Sequence, residues 1–302
     1  MTLEISIPHS ETTAVKVNGI ETVYDTFGEP SFPPLLLVNG LGGQMTSWEE
    51  EFCAQLAMRG FWVIRFDNRD VGLATKFDEA GVPPLLPMIR ANLQGKPCPE
   101  TPYTLRDMAA DAIGLLDELK IESAHVLGIS MGGMIAQTMA IYYPERVRTL
   151  ISISSTYAPK LPPVGSNAFN SLIKAAPKDR EGYIKHTLKY YRLSNGPHFS
   201  WDEKLARERI EQFYERGIYP EGTARQLAAI AASGSRKEML KSVKIPTLVI
   251  HGDADPLVPL AGGISTANSI PGAKLKIFKG MGHTLPTQLW TEIIGVIAEH
   301  AT

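Results

Sequence analysis

Short apolar runs alternate along the chain with segments in which apolar residues recur at helical spacing. This alternation is typical of a mainly parallel β-sheet covered by helices. Continuous apolar runs such as Leu35–Val38 predict strands that are buried on both faces. We therefore expect an α/β fold. Its predicted parallel strands are Leu35–Val38, Phe61–Phe66, Ala124–Ile129, Val147–Ile153, Ile245–Ile250 and Ala273–Phe278.

A β-hairpin is predicted before these strands, because an Asn-Gly turn signal separates Ala14–Val17 from Ile20–Tyr24. The hairpin brings the predicted sheet to eight strands, with helices on both faces. The clearest helix start is the near capping box that Thr104 forms with Asp107. Helices are predicted at Ser47–Arg59, Leu105–Leu119, Met131–Tyr143 and Gln288–Glu299.

Two stretches interrupt the alternation of strands and helices. Glu79–Tyr103 holds six prolines and has room only for a short helix at Leu85–Leu93. Tyr157–Lys241 reads as all-helical, and an all-helical insert between parallel strands predicts a cap over their carboxyl ends. We therefore expect a core domain of residues 1–156 and 242–302 and a helical cap of residues 157–241. The helices predicted in the cap are Ala168–Ala175, Arg180–Tyr191, Asp202–Arg216 and Glu221–Ala232.

Composition and charge exclude several classes of binding partner. The chain has 302 residues, 44% of them hydrophobic, and a formal net charge of −2. With no Lys/Arg block, nucleic acid and anionic membranes are not expected partners. Cys53 and Cys98 stand outside CxxC and Cys/His patterns, so we expect neither a disulfide framework nor a metal site. We find no signal-peptide pattern and no membrane-length apolar run, and therefore expect a cytoplasmic protein.

The sharpest chemical signal is the GxSxG pattern at Gly128–Gly132, with Ser130 at its centre. A predicted strand runs directly into this pattern, and a predicted helix leaves it. Glycines flank the serine in such a turn because the strained backbone leaves no room for side chains, and the serine hydroxyl is projected outward. Ser130 is therefore the candidate nucleophile. The alternative is a glycine-rich turn with a solvated serine.

A nucleophilic serine needs a base and an acid that orients it. Among seven histidines, His283 stands in a loop between a predicted strand and the last helix, and it is the candidate base. Asp253 and Asp255 both follow the preceding strand. We prefer Asp255 as the acid and interpret Asp253 as a turn residue. The order Ser130, Asp255, His283 matches the Ser…Asp/Glu…His order of one known arrangement of the triad.

The loop after Leu35–Val38 is the candidate site for stabilising an oxyanion. Backbone N–H groups must be in place before charge develops, and we expect those of Leu41 and Met131 to serve. The alternative is a dinucleotide-binding protein, because Gly40-Leu41-Gly42 begins a GxGxxG fingerprint. In that hypothesis Asp67 would bind a ribose. Met45 stands at the third glycine position, which leaves the fingerprint incomplete.

These residues resemble the α/β-hydrolase superfamily, and a bacterial esterase branch that includes the aclacinomycin methylesterases. The resemblance implies a serine hydrolase that needs no cofactor, with Ser130, Asp255 and His283 as its triad. The chain departs from this family in two ways. Asn39 replaces the common histidine of the oxyanion loop, and the Pro-rich segment Glu79–Tyr103 is longer than the methylesterases need. The matching stretches are Leu35–Gln44, Phe66–Leu73, Gly128–Gly133, Gly252–Pro259 and Gly280–His283.

We therefore expect hydrolysis of small to medium acyl esters or methyl esters through an acyl-enzyme, with a small-molecule ester as the partner. Carbon–carbon bond hydrolysis, lactone or thioester hydrolysis and cofactor-free perhydrolysis stay open, as does a ligand-binding role. The oligomeric state also stays open. Asp67 and Arg69 are interpreted as a structural ion pair or hydrogen-bond network near the site. The candidate pocket walls are Leu85, Leu86, Met88, Ile89, Phe169, Leu172, Ile173, Leu188, Tyr191, Phe213 and Tyr214.

Overall fold

One eight-stranded sheet forms the centre of the computed structural model, which describes residues 7–96, 98–158 and 167–302. The strands lie in the order β1-β2-β4-β3-β5-β6-β7-β8. The first two pair antiparallel, β2 pairs antiparallel with β4, and the other pairs are parallel. The bounds are β1 Thr13–Val17, β2 Ile20–Phe27, β3 Pro34–Val38, β4 Trp62–Phe66, β5 Ala124–Ile129, β6 Val147–Ile153, β7 Thr247–Gly252 and β8 Lys274–Phe278. The predicted α/β fold is confirmed.

Helices cover both faces of this sheet because alternate residues of the central strands point to opposite sides. In β3, Leu36 packs in one apolar cluster, with α3 and α4, while Leu35 and Leu37 pack in the other, with α1 and α11. The helices are α1 Glu50–Ala57, α2 Leu85–Leu93, α3 Leu105–Glu118, α4 Met131–Tyr142, α5 Asn167–Ile173, α6 Arg180–Ser194, α7 Glu203–Arg216, α8 Pro220–Ser233, α9 Lys237–Leu240, α10 Leu260–Ser269 and α11 Trp290–Ala301. No helix among the described residues is long and apolar enough to cross a membrane.

The local turn and cap signals fold as their chemistry dictates. Asn18 and Gly19 both have positive φ, of 46° and 78°, as the tight hairpin between β1 and β2 requires. At the start of α3, the Thr104 side chain accepts from Arg106 N–H, and the Asp107 carboxylate accepts from Thr104 N–H at 2.7 Å. The predicted capping box is present.

Among the described residues between β6 and β7, the chain forms five helices, α5 to α9. Four of them match the helices predicted there to within about a turn, and the short α9 was not predicted. Residues 159–166 of this region lie outside the described residues. The treatment of residues 157–241 as a cap domain of its own stays a prediction. Helix α10 was also missed, because Gly262 and Gly263 weaken its helical signal.

Candidate active site

Ser130 lies in the sharp turn between β5 and α4, with φ of 55° and ψ of −118°. A Cβ on Gly132 would come within 2.1 Å of Val38 O, so only glycine fits where the turn meets β3. The turn is also held from β6, because Ser130 N–H donates to Ile153 O at 2.8 Å. Ser155 Oγ in turn donates to Ser130 O at 2.7 Å. A positive φ at a serine is strained, and the surrounding contacts maintain it.

Asp255 and His283 meet beyond the carboxyl ends of β7 and β8. Their atoms Oδ2 and Nδ1 are 2.7 Å apart, and both side chains are buried. The other carboxylate oxygen of Asp255 accepts from Leu257 N–H at 2.8 Å and from Val258 N–H at 2.9 Å. His283 N–H donates to Ser194 O at 2.6 Å, which ties the loop to α6. With Nδ1 donating to the carboxylate, Nε2 is the nitrogen that remains to accept a proton.

The neighbouring candidates Asp253 and His251 have other partners. Asp253 Oδ1 accepts from Gly280 N–H at 2.6 Å and holds the two loops together. His251 Nε2 donates to Val258 O at 2.9 Å, and burial lowers the pKa of this imidazole. The structure thus brings Asp255, and not Asp253, to His283.

Ser130 and His283 line one cavity of about 490 Å³. Of the pocket walls that the sequence predicted, Tyr191 and Phe213 line this cavity. The segment after β3, the start of α1, α6, α7 and the loop before α11 supply most of the rest. The aromatic members of the wall are Trp48, Phe52, Tyr190, Tyr191, Trp201, Phe213 and Trp290.

None of the described residues of the Pro-rich segment lines the cavity, contrary to the prediction. Met88 of α2 is buried against Ala228 and Ala231 of α8, and none of these three residues lines the cavity. Leu85 packs beside them. Helix α2 therefore supports α8 rather than contacting a ligand. The side chains of the predicted wall residues Phe169, Leu172 and Ile173 lie outside the described residues.

The two predicted oxyanion donors flank Ser130. Met131 is the first residue of α4, where an N–H has no partner within the helix. Leu41 lines the cavity, and a Cβ on its neighbour Gly40 would lie 3.3 Å from Ser130 Cβ. The backbone carbonyl oxygen of Asn39, which stands where the resemblance implies a histidine, accepts from the Asn68 side chain at 3.2 Å. Met131 thus follows Ser130 directly in the chain, and Leu41 lines the same cavity as Ser130.

Asp67, which follows β4, is wholly buried and fully engaged. One carboxylate oxygen accepts from Met45 N–H at 2.7 Å, and the other accepts from Leu73 N–H at 2.8 Å. The second oxygen also lies 2.7 Å from Nη1 of Arg216, at the end of α7. This carboxylate joins the oxyanion loop to α7 and is not free for a ribose, which removes the basis of the dinucleotide hypothesis.

Two buried arginine pairs continue this network, although Asp67 and Arg69 do not pair with each other. Arg69 donates twice to Asp111, at 2.6 Å each. Arg225 of α8 donates twice to Asp70, at 2.8 Å each, and Tyr103 Oη donates to the same carboxylate at 2.6 Å. These pairs fasten α3 and α8 to the segment that follows β4.

The ion pair of Glu49 and Arg209 lies in the cavity wall and was missed by the sequence analysis. Burial raises the pKa of Glu49, whereas the adjacent guanidinium opposes that shift. The two residues are 160 positions apart and belong to different helical regions. No local pattern in the sequence could have brought them together.

A second cavity, of about 430 Å³, lies at the start of α8. Its charged lining residues already have partners: Lys178 pairs with Glu221, Arg225 pairs with Asp70, and Asp78 accepts from Tyr219 Oη. Within the described ranges, no group of three His, Cys, Asp or Glu residues could hold a metal ion. The cavity beside Ser130 is therefore the candidate active site.

Comparison with known proteins places these features in a family. A family model described as the α/β hydrolase fold matches residues 33–286. The chain is 28% identical to rhodomycin D methylesterase DnrP of Streptomyces peucetius, over 90% of the chain and 92% of that protein. It is 27% identical to 3-oxoadipate enol-lactonase 2 of Acinetobacter baylyi, over 85% of the chain and 84% of that protein.

Carbon–carbon hydrolases and solved esterases are also similar. 2-Hydroxymuconate semialdehyde hydrolase of Pseudomonas putida is 31% identical over 66% of each chain. The fold of esterase RhEst1 from Rhodococcus sp. ECU1013 matches with a TM-score of 0.73, covering 98% of both chains at 20% identity. The resemblance to an esterase branch is confirmed, and the chain is carboxylesterase-like. With the family match covering residues 33–286, the chain belongs to the α/β hydrolase fold family.

Proposed function

We propose that the protein hydrolyses carboxylic esters through a triad of Ser130, His283 and Asp255. The observation that carries this proposal is the 2.7 Å contact between His283 Nδ1 and Asp255 Oδ2 at a cavity that Ser130 also lines. A buried carboxylate that accepts two backbone N–H groups is held rigidly, and it fixes the imidazole in turn. The strained backbone of Ser130 favours the same role.

The reaction proceeds in two steps. Ser130 Oγ attacks the ester carbonyl while His283 Nε2 accepts its proton, and the N–H groups of Leu41 and Met131 stabilise the oxyanion. Collapse of this intermediate expels the alcohol, which takes the proton from His283. Water then attacks the acyl-enzyme while His283 accepts a proton from that water. Collapse of the second tetrahedral intermediate releases the acid as His283 gives the proton back to Ser130 Oγ. Asp255 stabilises the imidazolium in both steps.

The size and lining of the cavity support small to medium acyl esters or methyl esters. A volume of about 490 Å³ lies at the lower end of the range for ligand pockets. Seven aromatic side chains line its walls, which favours an apolar acyl or alcohol group. In this proposal the segment 157–241 acts as the cap, since α6 and α7 supply Tyr190, Tyr191 and Phe213 to the wall. The similarity to two methylesterases supports the same substrate class.

The test is an assay of the purified protein against p-nitrophenyl esters from acetate to dodecanoate. Ser130→Ala, prepared identically, is the control for contaminating esterases. We expect hydrolysis with an optimum at short or medium chains, and a loss of activity in Ser130→Ala that could reach ~10⁶-fold. Activity that survives in Ser130→Ala contradicts the mechanism. A folded wild-type protein without activity contradicts the esterase function and favours a specialised substrate or a binding role.

Lactone or carbon–carbon bond hydrolysis on the same triad is the second candidate. It is favoured by the similarity to an enol-lactonase and to 2-hydroxymuconate semialdehyde hydrolase. The ion pair of Glu49 and Arg209 in the wall offers a charged contact that a simple apolar ester does not need. A kcat/KM for an enol-lactone or a 2-hydroxy-6-oxodienoate that exceeds that for every p-nitrophenyl ester would move the proposal to this class.

A further inference from the structure

Hydrogen bonds hold the two peptide groups on either side of Leu41. Gly40 O accepts from Gly43 N–H at 3.1 Å, which fixes the peptide that bears the Leu41 N–H. The next peptide is held from outside the loop, because Gly42 N–H donates to the Gln226 side chain at 2.8 Å. Since each peptide is planar, holding these two groups sets the direction of the Leu41 N–H.

Gln226 belongs to α8 and is wholly buried. Its carboxamide uses both ends: the oxygen accepts from Gly42, and the nitrogen donates to Arg69 O at 2.8 Å. Arg69 is itself anchored by its double contact with Asp111. The orientation of the amide is therefore determined by partners on either side.

Helix α8 lies directly against the loop at this point. Gly42 has a φ of 68°, and a Cβ there would come within 2.9 Å of Thr223 Oγ1. One position before Gln226, Arg225 is locked to Asp70 by two hydrogen bonds of 2.8 Å. Helix α8, which lies outside the sheet, thus contacts the oxyanion loop and forms a hydrogen bond with it.

We propose that Gln226 is a positioning residue for the oxyanion hole, an inference that rests on the proposed esterase function. Its side chain holds the Leu41–Gly42 peptide, so that the Leu41 N–H meets the oxyanion without reorganisation. Gln226 does not line the cavity, so its role would be exerted through the loop. Its loss should weaken stabilisation of the transition state while leaving substrate binding intact.

The test compares Gln226→Met, which keeps the shape and removes both hydrogen bonds, with Gln137→Met. Gln137 is an equally buried glutamine of α4 that bonds Ser152 and Arg236 and does not touch the loop. Removing an oxyanion donor costs about 10²–10³ in kcat, so misplacing one should cost roughly 10- to 100-fold. We expect that fall in Gln226→Met with KM within about twofold, and kcat within about threefold of wild type in Gln137→Met.

Two further measurements separate a positioning role from general loosening. Hydrogen exchange of peptides that cover residues 39–44 should become faster in Gln226→Met and stay unchanged in Gln137→Met. Gln226→Glu keeps an acceptor for Gly42 N–H and should recover part of the lost kcat.

Three outcomes contradict the inference, and one of them also contradicts the proposed function. A kcat in Gln226→Met within threefold of an active wild type overturns the role of Gln226 alone. Equal losses in both methionine variants likewise assign the effect to loosening of the protein. A wild-type protein without esterase activity overturns the proposed function, and the role of Gln226 in it.

Discussion

Buried carboxylates follow both β4 and β7, yet their partners differ. Asp67 and Asp70, after β4, pair with Arg216 and Arg225. Asp255, after β7, pairs with His283 at 2.7 Å. A guanidinium is charged at all pH values of interest and gives up no proton, so the first two sites are static. An imidazole can both accept and donate a proton, so the third site can move a proton.

Burial of a carboxylate therefore does not by itself indicate a catalytic role. The partner of the carboxylate indicates whether it serves structure or catalysis. The carboxylates after β4 fasten α7 and α8 to the sheet and hold the loop at Met45. The carboxylate after β7 holds a side chain that lines the cavity. The two regions should respond oppositely to the same substitution, with stability lost at one and activity lost at the other.

The largest expected effect is on activity at Asp255. Asp255→Asn keeps the shape but removes the charge that stabilises the imidazolium, and its amide favours the wrong tautomer of His283. We expect kcat for a p-nitrophenyl ester to fall about 10⁴-fold. Asp70→Asn, assayed in parallel under conditions where it is folded, should keep kcat within about tenfold. Retention of more than a tenth of kcat in Asp255→Asn would remove the distinction between the two regions.

The reverse effect is expected on stability at Asp70. Asp70→Asn leaves Arg225 buried without a countercharge, and breaking such a pair costs about 3–5 kcal/mol in the free energy of unfolding. Urea denaturation of the wild type, Asp70→Asn and Asp255→Asn would measure this. We expect the loss in Asp255→Asn to be clearly smaller. Equal losses at the two sites would show that the carboxylates differ less than their partners suggest.

The pH dependence of stability tests His125, a buried histidine whose partner is a hydroxyl group. Burial lowers the pKa of His125 to about 4, and its Nδ1 lies 2.9 Å from Thr149 Oγ1. In the unfolded chain the imidazole of His125 takes up a proton near pH 6.5. In the folded protein it takes up this proton only near pH 4. The contribution of neutral His125 to the free energy of unfolding is therefore fully present above pH 6.5. It is lost as the pH falls toward 4, by up to about 3 kcal/mol.

His125→Gln should flatten this dependence, since glutamine does not titrate. The measurement is the free energy of unfolding of both proteins between pH 7 and pH 4. Identical slopes for His125→Gln and the wild type would contradict the assignment.

The smallest expected effect concerns the hydroxyl that supports Asp70. Tyr103→Phe removes a donor to a buried carboxylate and should lower the free energy of unfolding by about 1.5 kcal/mol. Tyr142→Phe, at an exposed tyrosine, is the matched control and should change it by no more than about 0.5 kcal/mol. Neither variant should alter kcat. A fall in kcat with Tyr103→Phe would mean that the network after β4 reaches the chemistry.

Features with a local cause could be predicted from the sequence. The hairpin turn at Asn18, the capping box at Thr104 and the strand-to-helix turn at Ser130 all depend on neighbouring residues. Helix α10 was missed because Gly262 and Gly263 carry no clear helical period, and packing against β7 stabilises it instead.

Contacts between distant segments could not be predicted. The sequence marked Asp67 and Arg69 as a structural network but not their partners Arg216 and Asp111, which are brought close only by the tertiary fold. The expected pocket wall at Leu85–Leu93 failed for the same reason. An apolar helix does not reveal which neighbour it faces, and α2 packs on α8.

The central claim is that Ser130 forms a covalent acyl intermediate with the help of His283. The most direct measurement is rapid acid quenching of the wild type during turnover of p-nitrophenyl butyrate, followed by mass spectrometry of the peptide that contains Ser130. We predict a butyryl group on Ser130 in the wild type and none anywhere in Ser130→Ala. A butyryl group on another residue that persists in Ser130→Ala during catalytic turnover would contradict the mechanism.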